Sequence, residues 1–204
     1  ITWSLDSKSF FYSKLDEFHR PRKIYKHFLG KPVKKDELIF EEKDETFTCS
    51  ISLTSDEKYF IISTSDHITT EEYFFESTSD DIKPKLFRKR KKDVRYSLDS
   101  WKDYFYVHTN EDARDYKILR CKKDNIENLE EFVPPKKETV IGGLDFLDDY
   151  IIRAEKSDAI PKLYVRNINT NEEEEIKISD EPIGVPGASL MQKDTKTSKI
   201  RISW

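Results

Sequence analysis

Apolar and polar positions alternate along much of this chain with the two-residue period of β-strands. Arg22-Lys23-Ile24-Tyr25-Lys26-His27-Phe28 reads as a half-exposed strand. Tyr104-Phe105-Tyr106-Val107 is an unbroken aromatic and β-branched run, the composition of a strand covered on both faces. Around it, residues 94–108 read as a strand, a tight turn at Leu98-Asp99-Ser100, and a second strand. Asp and Ser suit a turn because their side chains bond their own backbone. No long helix-periodic segment interrupts the pattern, although residues 124–129 could form one helical turn.

The same device recurs. A leucine is followed six residues later by an aromatic that opens an apolar run: Leu5 with Phe11, Leu53 with Tyr59, Leu98 with Tyr104, Leu144 with Tyr150. The leucines are 48, 45 and 46 residues apart, and Leu190 lies a further 46 on. Each period divides into four short strands. The second is the most apolar, and the last is the most charged. Repeats of this length with four strands each are the pattern of β-propeller blades. Middle strands lie between neighbouring blades, and charge on an outer strand discourages edge-to-edge pairing. The expected fold is an all-β partial propeller, one domain over residues 1–204. Its blades are expected at 1–45, 46–92, 93–137 and 138–181, with a partial fifth at 182–204 that begins at Ile183-Gly184-Val185-Pro186.

Composition changes this picture little. Hydrophobic residues make up 36% of the 204, below the roughly 45–50% usual for globular chains. Thirteen Phe, ten Tyr and three Trp compensate, and disordered chains lack such aromatics. The 36 basic and 40 acidic residues leave a net charge of −4, which gives no electrostatic reason to expect nucleic acid or an anionic membrane as partner. Cys49 and Cys121 read as two reduced thiols in strands, and the cytoplasm is the expected compartment. Ile1 and Trp204 both lie inside strand patterns, as in a segment of a longer polypeptide.

Several segments are similar to a known family. They are Arg20-Pro21 with His27-Phe28-Leu29-Gly30; Leu38-Ile39-Phe40-Glu41-Glu42-Lys43-Asp44-Glu45; Arg90-Lys91-Lys92-Asp93 with Tyr96-Ser97-Leu98-Asp99; Val133-Pro134-Pro135; and Ile183-Gly184-Val185. The chain resembles the propeller of the oligopeptidase B branch of the prolyl oligopeptidase family of serine peptidases, at matching spacing throughout. The resemblance implies a seven-bladed propeller joined to an α/β-hydrolase domain that cleaves short peptides after Lys or Arg. The propeller would restrict access to that domain, its partner. The family's catalytic Ser, Asp and His lie in the domain that this chain lacks, so no catalytic residue is carried over. The chain by itself is expected to be inactive.

The remaining motifs point to no site of their own. None of the five glycines frames a serine as G-x-S-x-G. His19, His27, His67 and His108 lack the spacing of a metal site. No catalytic, cofactor-binding or metal-binding residue is therefore assigned. Arg88-Lys89-Arg90-Lys91-Lys92 and Glu172-Glu173-Glu174-Glu175 read as solvated charge, the first in a blade-to-blade connection and the second on an outer strand. Residues 66–71 and 110–115 read as loops between second and third strands, positions that often carry binding on a rigid scaffold. Gly142-Gly143 suggests a close backbone approach. Asp6, Asp56, Asp99 and Asp145 recur at expected turn positions, which argues against the paired carboxylates of a glycosidase. A stand-alone interaction platform is the other class considered. Uncovered terminal blades are expected to promote self-association.

Overall fold

The computed structural model describes residues 1–177 and two further short strands, β17 (Gly187–Ser189) and β18 (Arg201–Ser203). The first four repeats each form one four-stranded antiparallel meander. The first sheet is β1 (Thr2–Trp3), β2 (Ser9–Leu15), β3 (Pro21–Phe28) and β4 (Glu37–Glu41). The second is β5 (Thr48–Leu53), β6 (Tyr59–Ser65), β7 (Thr70–Glu76) and β8 (Lys85–Arg88). The third is β9 (Tyr96–Trp101), β10 (Tyr104–Thr109), β11 (Lys117–Lys122) and β12 (Glu130–Val133). The fourth is β13 (Thr139–Phe146), β14 (Tyr150–Ser157), β15 (Ile160–Asn167) and β16 (Glu173–Glu175). β17 pairs with β18, whereas Ile183-Gly184-Val185-Pro186 lies outside the described residues. Helix is confined, among the described residues, to one 3-10 turn at Val33–Lys35. Residues 124–129 form turns, not helix.

The chain divides into two compact units, Ile1–Val107 with Lys122–Ile126, and His108–Cys121 with Glu127–Trp204. In the first unit, strand alternation sends Phe11 and Ile24 of the first sheet towards the second. They meet Cys49, Phe60, Ile62 and Phe75 in one apolar cluster. The Phe11 ring lies 4.6 Å from Phe60, which stacks on Phe75 at 5.3 Å. Full burial of one such side chain stabilises by about 1.5–3 kcal/mol. On the other face of the second sheet, Tyr59 and Phe74 pack on Phe105 at 4.9 and 5.1 Å.

One expected turn is displaced. β9 runs through Leu98-Asp99-Ser100 to Trp101, and the reversal comes at Lys102-Asp103, where Lys102 takes a left-handed φ of 52°. In the first two sheets the aspartate does serve the turn: Asp6 Oδ1 accepts Lys8 N–H and Asp56 Oδ1 accepts Lys58 N–H. Asp99 and Ser100 instead spend their side chains on the neighbouring sheet. Asp145 likewise lies within β13, not in a turn.

Gly142 and Gly143 form a β-bulge, since Ile141 pairs with Glu155 and Leu144 with Arg153. A Cβ on Gly142 would stand 2.8 Å from the Ala154 carbonyl oxygen, whereas one on Gly143 would meet nothing within 4 Å. The close approach is therefore to the adjacent strand, and it concerns one glycine of the pair.

Candidate functional site

The loops between second and third strands are pinned rather than free. In the second sheet, Asp66 Oδ1 accepts the N–H groups of Ile68 and Thr69 at 2.7 and 2.6 Å. The loop is then tied to the connection leading to the third sheet: Asp93 N–H donates to Thr69 Oγ1, and Thr70 N–H to the Val94 carbonyl. The first sheet repeats the device. Asp16 Oδ1 accepts Phe18 and Arg20 N–H, while Arg20 and Arg22 donate to the carbonyls of Glu45, Glu42 and Lys43. In the second unit, Ile141 N–H donates to Asp115 O at 2.8 Å.

Arg90 is the centre of the strongest of these ties. Its Nη2 donates to Glu42 Oε2 at 2.6 Å and Glu71 Oε1 at 2.9 Å, and its guanidinium lies 3.9 Å above the Phe47 ring. Its own N–H donates to Glu71 Oε2. The middle of the basic run is thus a half-buried clamp on two buried acids, joining the first two sheets, which corrects the reading of the whole run as solvated. Burial works to raise the Glu71 carboxyl; the Arg90 bonds and the Tyr73 hydroxyl outweigh it and hold the group low.

Glu72, the next residue, points to the opposite face of β7. Its Oε1 accepts the Ser63 hydroxyl at 2.7 Å and its Oε2 accepts Leu98 N–H at 2.6 Å. The Tyr96 hydroxyl accepts Glu72 N–H and donates to the Arg88 carbonyl, bridging the β7–β8 ladder where its register shifts. Burial pushes the Glu72 carboxyl up to about 8.

At the turn end of the same two sheets, Asp99 accepts Ser55 N–H and Ser55 Oγ–H at 2.8 and 2.6 Å. In return Ser100 Oγ donates to Asp56, which also takes Lys123 Nζ at 2.7 Å. Burial lowers the Lys123 ammonium, and Asp56 offsets part of that. These bonds commit Asp56 and Asp99 to joining the second and third sheets.

The second unit holds a different network. Arg153, 3% exposed, donates from Nε to Glu155 Oε1 at 2.8 Å and from both Nη atoms to Glu173 at 2.7 and 2.9 Å. Lys136 closes on Glu155 and Arg166 on Glu173. Glu173 is thus the half-buried partner of the buried Arg153, not a fully solvated acid. The edge strand that carries it is Glu173–Glu175.

A family model described as the prolyl oligopeptidase N-terminal beta-propeller domain matches residues 1–204. The chain belongs to the prolyl oligopeptidase family. Protease 2 of Moraxella lacunata is 28% identical over the full chain, and dipeptidyl aminopeptidase BI of Pseudoxanthomonas mexicana is 27% identical over 81% of it. The chain spans less than a third of these relatives, 29% and 23% of their lengths. Among solved structures, oligopeptidase B from Trypanosoma brucei, in a closed form with covalently bound antipain, superposes with a TM-score of 0.89 at 20% identity. The match covers 98% of this chain and 30% of that one. Oligopeptidase B from Leishmania major gives 0.87 at 19% identity over the same shares. The four sheets are blades of this family's propeller, and the latches tie blade to blade.

The histidines of this propeller segment do not converge. His27 Nδ1 lies 2.7 Å from Asp36, whose other oxygen takes the Tyr12 hydroxyl. His108 Nε2 bonds the Ile141 carbonyl and stacks on Tyr116 at 4.5 Å. His19 occupies a left-handed turn position and His67 a loop. Among the described residues no serine hydroxyl bonds a histidine, and no group of three or more His, Cys, Asp or Glu could hold a metal ion. Burial pushes the Cys49 and Cys121 thiols up to about 12 and about 11, which leaves them unreactive. Sequence reasoning missed Arg90, Glu72, Ser55 and Arg153. A usable signal was present for the first: Glu42, Arg90's buried acceptor, and Arg90 itself both lie in segments that resemble the family.

Proposed function

We propose that this chain is the non-catalytic propeller part of a cytoplasmic serine oligopeptidase that cleaves short peptides after Lys or Arg. Its partner is the α/β-hydrolase domain of the same parent polypeptide. Its role is exclusion: the propeller covers the active site, so short peptides enter and folded proteins do not, and the enclosure limits water. The observation that carries this reading is the match over all 204 residues to relatives more than three times as long. The pinned loops and interblade latches support it physically, because a size filter has to hold its opening rigid.

The test is an assay of Arg and Lys amide substrates with the chain alone and with its parent. The chain alone should give no turnover, and the parent should hydrolyse short substrates but not the same sequence within a folded protein. Turnover by the isolated chain, abolished by a serine-directed inhibitor, would overturn the reading. A stand-alone interaction platform is the second reading. It requires a parent reading frame without a G-x-S-x-G elbow followed by Asp and His. We also propose that the isolated chain self-associates through its uncovered terminal blades; in the first of them Trp3 and Leu38 are about half exposed. A monomeric sedimentation profile at high concentration would contradict this.

A further inference from the structure

Adjacent glutamates in β7 are treated in opposite ways. Glu71 is met by a guanidinium, a backbone N–H and a tyrosine hydroxyl. Glu72 is equally buried, 3% exposed, and receives only a serine hydroxyl and one backbone N–H. Among the described residues no cationic side chain bonds its carboxylate. Each element packed around it contributes in kind. β6 supplies the neutral Ser63. β8 supplies the Arg88 carbonyl, which accepts the Tyr96 hydroxyl. β9 supplies Tyr96, the Leu98 amide and the carboxyl of Asp99, whose charge opposes that of Glu72. A carboxylate in such a place is costly, because burial disfavours the charge and nothing positive compensates it.

We propose that Glu72 is a proton-operated latch between the second and third blades: it closes the seam as a neutral acid, and ionisation weakens the seam. As the acid it keeps one oxygen as acceptor for Leu98 N–H and turns its own O–H towards the Ser63 oxygen. On ionisation that proton leaves to solvent, and a bare negative charge remains in the seam beside Asp99. The sign follows from linkage. The folded-state affinity for the proton exceeds that of the unfolded chain. The contribution is therefore complete below pH 4.5, falls as pH rises through the folded value of about 8, and is gone above it. This inference does not depend on the peptidase reading.

The test compares thermal unfolding of the chain with that of Glu72→Gln from pH 5 to 9.5. The amide can present the same acceptor to Leu98 and a permanent donor to Ser63. The variant's Tm advantage should widen by several degrees between pH 5 and 8 and then stay level. A pH-independent difference would overturn the proposal. The second measurement needs no variant: the 13C shift of the Glu72 carboxyl and the amide shift of Leu98 should titrate together near pH 8. A Glu72 carboxyl already ionised at pH 6 would overturn it even where Glu72→Gln fails to fold.

Discussion

Phe60 in β6 and Arg153 in β14 each sit in the second strand of a blade, and each is almost wholly buried, at 1% and 3% exposure. Around Phe60 lie Phe11, Phe75 and Ile62. Around Arg153 lie Glu155, Glu173 and the Tyr164 ring, 4.8 Å from the guanidinium. The strand plan is common to both blades; the means of filling the face is not. Apolar packing is insensitive to pH, and truncating it costs the lost burial plus the cavity left behind. A buried ion pair stands only while every partner is present and charged, because its Coulomb gain must offset the desolvation of each ion.

The sharpest test of that contrast is Phe60→Ala, which should cost about 3–5 kcal/mol, measured by urea unfolding, with little dependence on salt or pH. A cost under 1 kcal/mol would mean that the first-unit cluster is loosely packed. Arg153→Met should cost about 3 kcal/mol at pH 7, since it leaves Glu155 with Lys136 and Glu173 with Arg166 as their remaining cations and takes away the buried guanidinium that joins them. Replacing both glutamates by Gln in the Arg153→Met background should recover much of that loss. No recovery would show that the guanidinium matters for its packing on Tyr164 and not for its charge.

Acid offers a third probe. The Arg153 bonds hold the Glu173 carboxyl below its ordinary 4.5, with burial opposing them. A depressed folded value means stability that is present above pH 4.5 and lost as pH falls through the folded value. Glu173→Gln should therefore narrow its deficit against the wild type as pH falls below that point, followed by circular dichroism, whereas Phe60→Ala should keep its deficit unchanged. The smallest effects belong to the bulge of the fourth blade. Gly142→Ala should cost about 1–3 kcal/mol through the clash with the Ala154 carbonyl. Gly143→Ala should stay within about 0.5 kcal/mol in the same unfolding assay. Equal effects would move the close approach away from Gly142.

Strand after strand was legible from period and composition, because a buried face must be apolar at every second position whatever it packs against. The strand read at Arg22–Phe28 is β3, Pro21–Phe28. The turn of the third blade was not legible. Asp and Ser at 99 and 100 carry the same local signal as the turn at Asp6-Ser7, and only the presence of Ser55 and Asp56 opposite them diverts that signal into a strand. The run 88–92 misled in the same manner: nothing in five consecutive basic residues marks the third as the one that turns inward.

What the amino-acid order determined alone was the module, four strands about every 46 residues with a greasy second strand and a charged last one. These are properties of single strands, and single strands are local. Which polar residues were withdrawn from water, Glu72 without a cation, Arg90 and Arg153 with two acids each, was decided only by tertiary structure. The partners lie between 2 and 48 residues apart in the chain, and the low dielectric that gives their bonds consequence exists only once the sheets have closed over them.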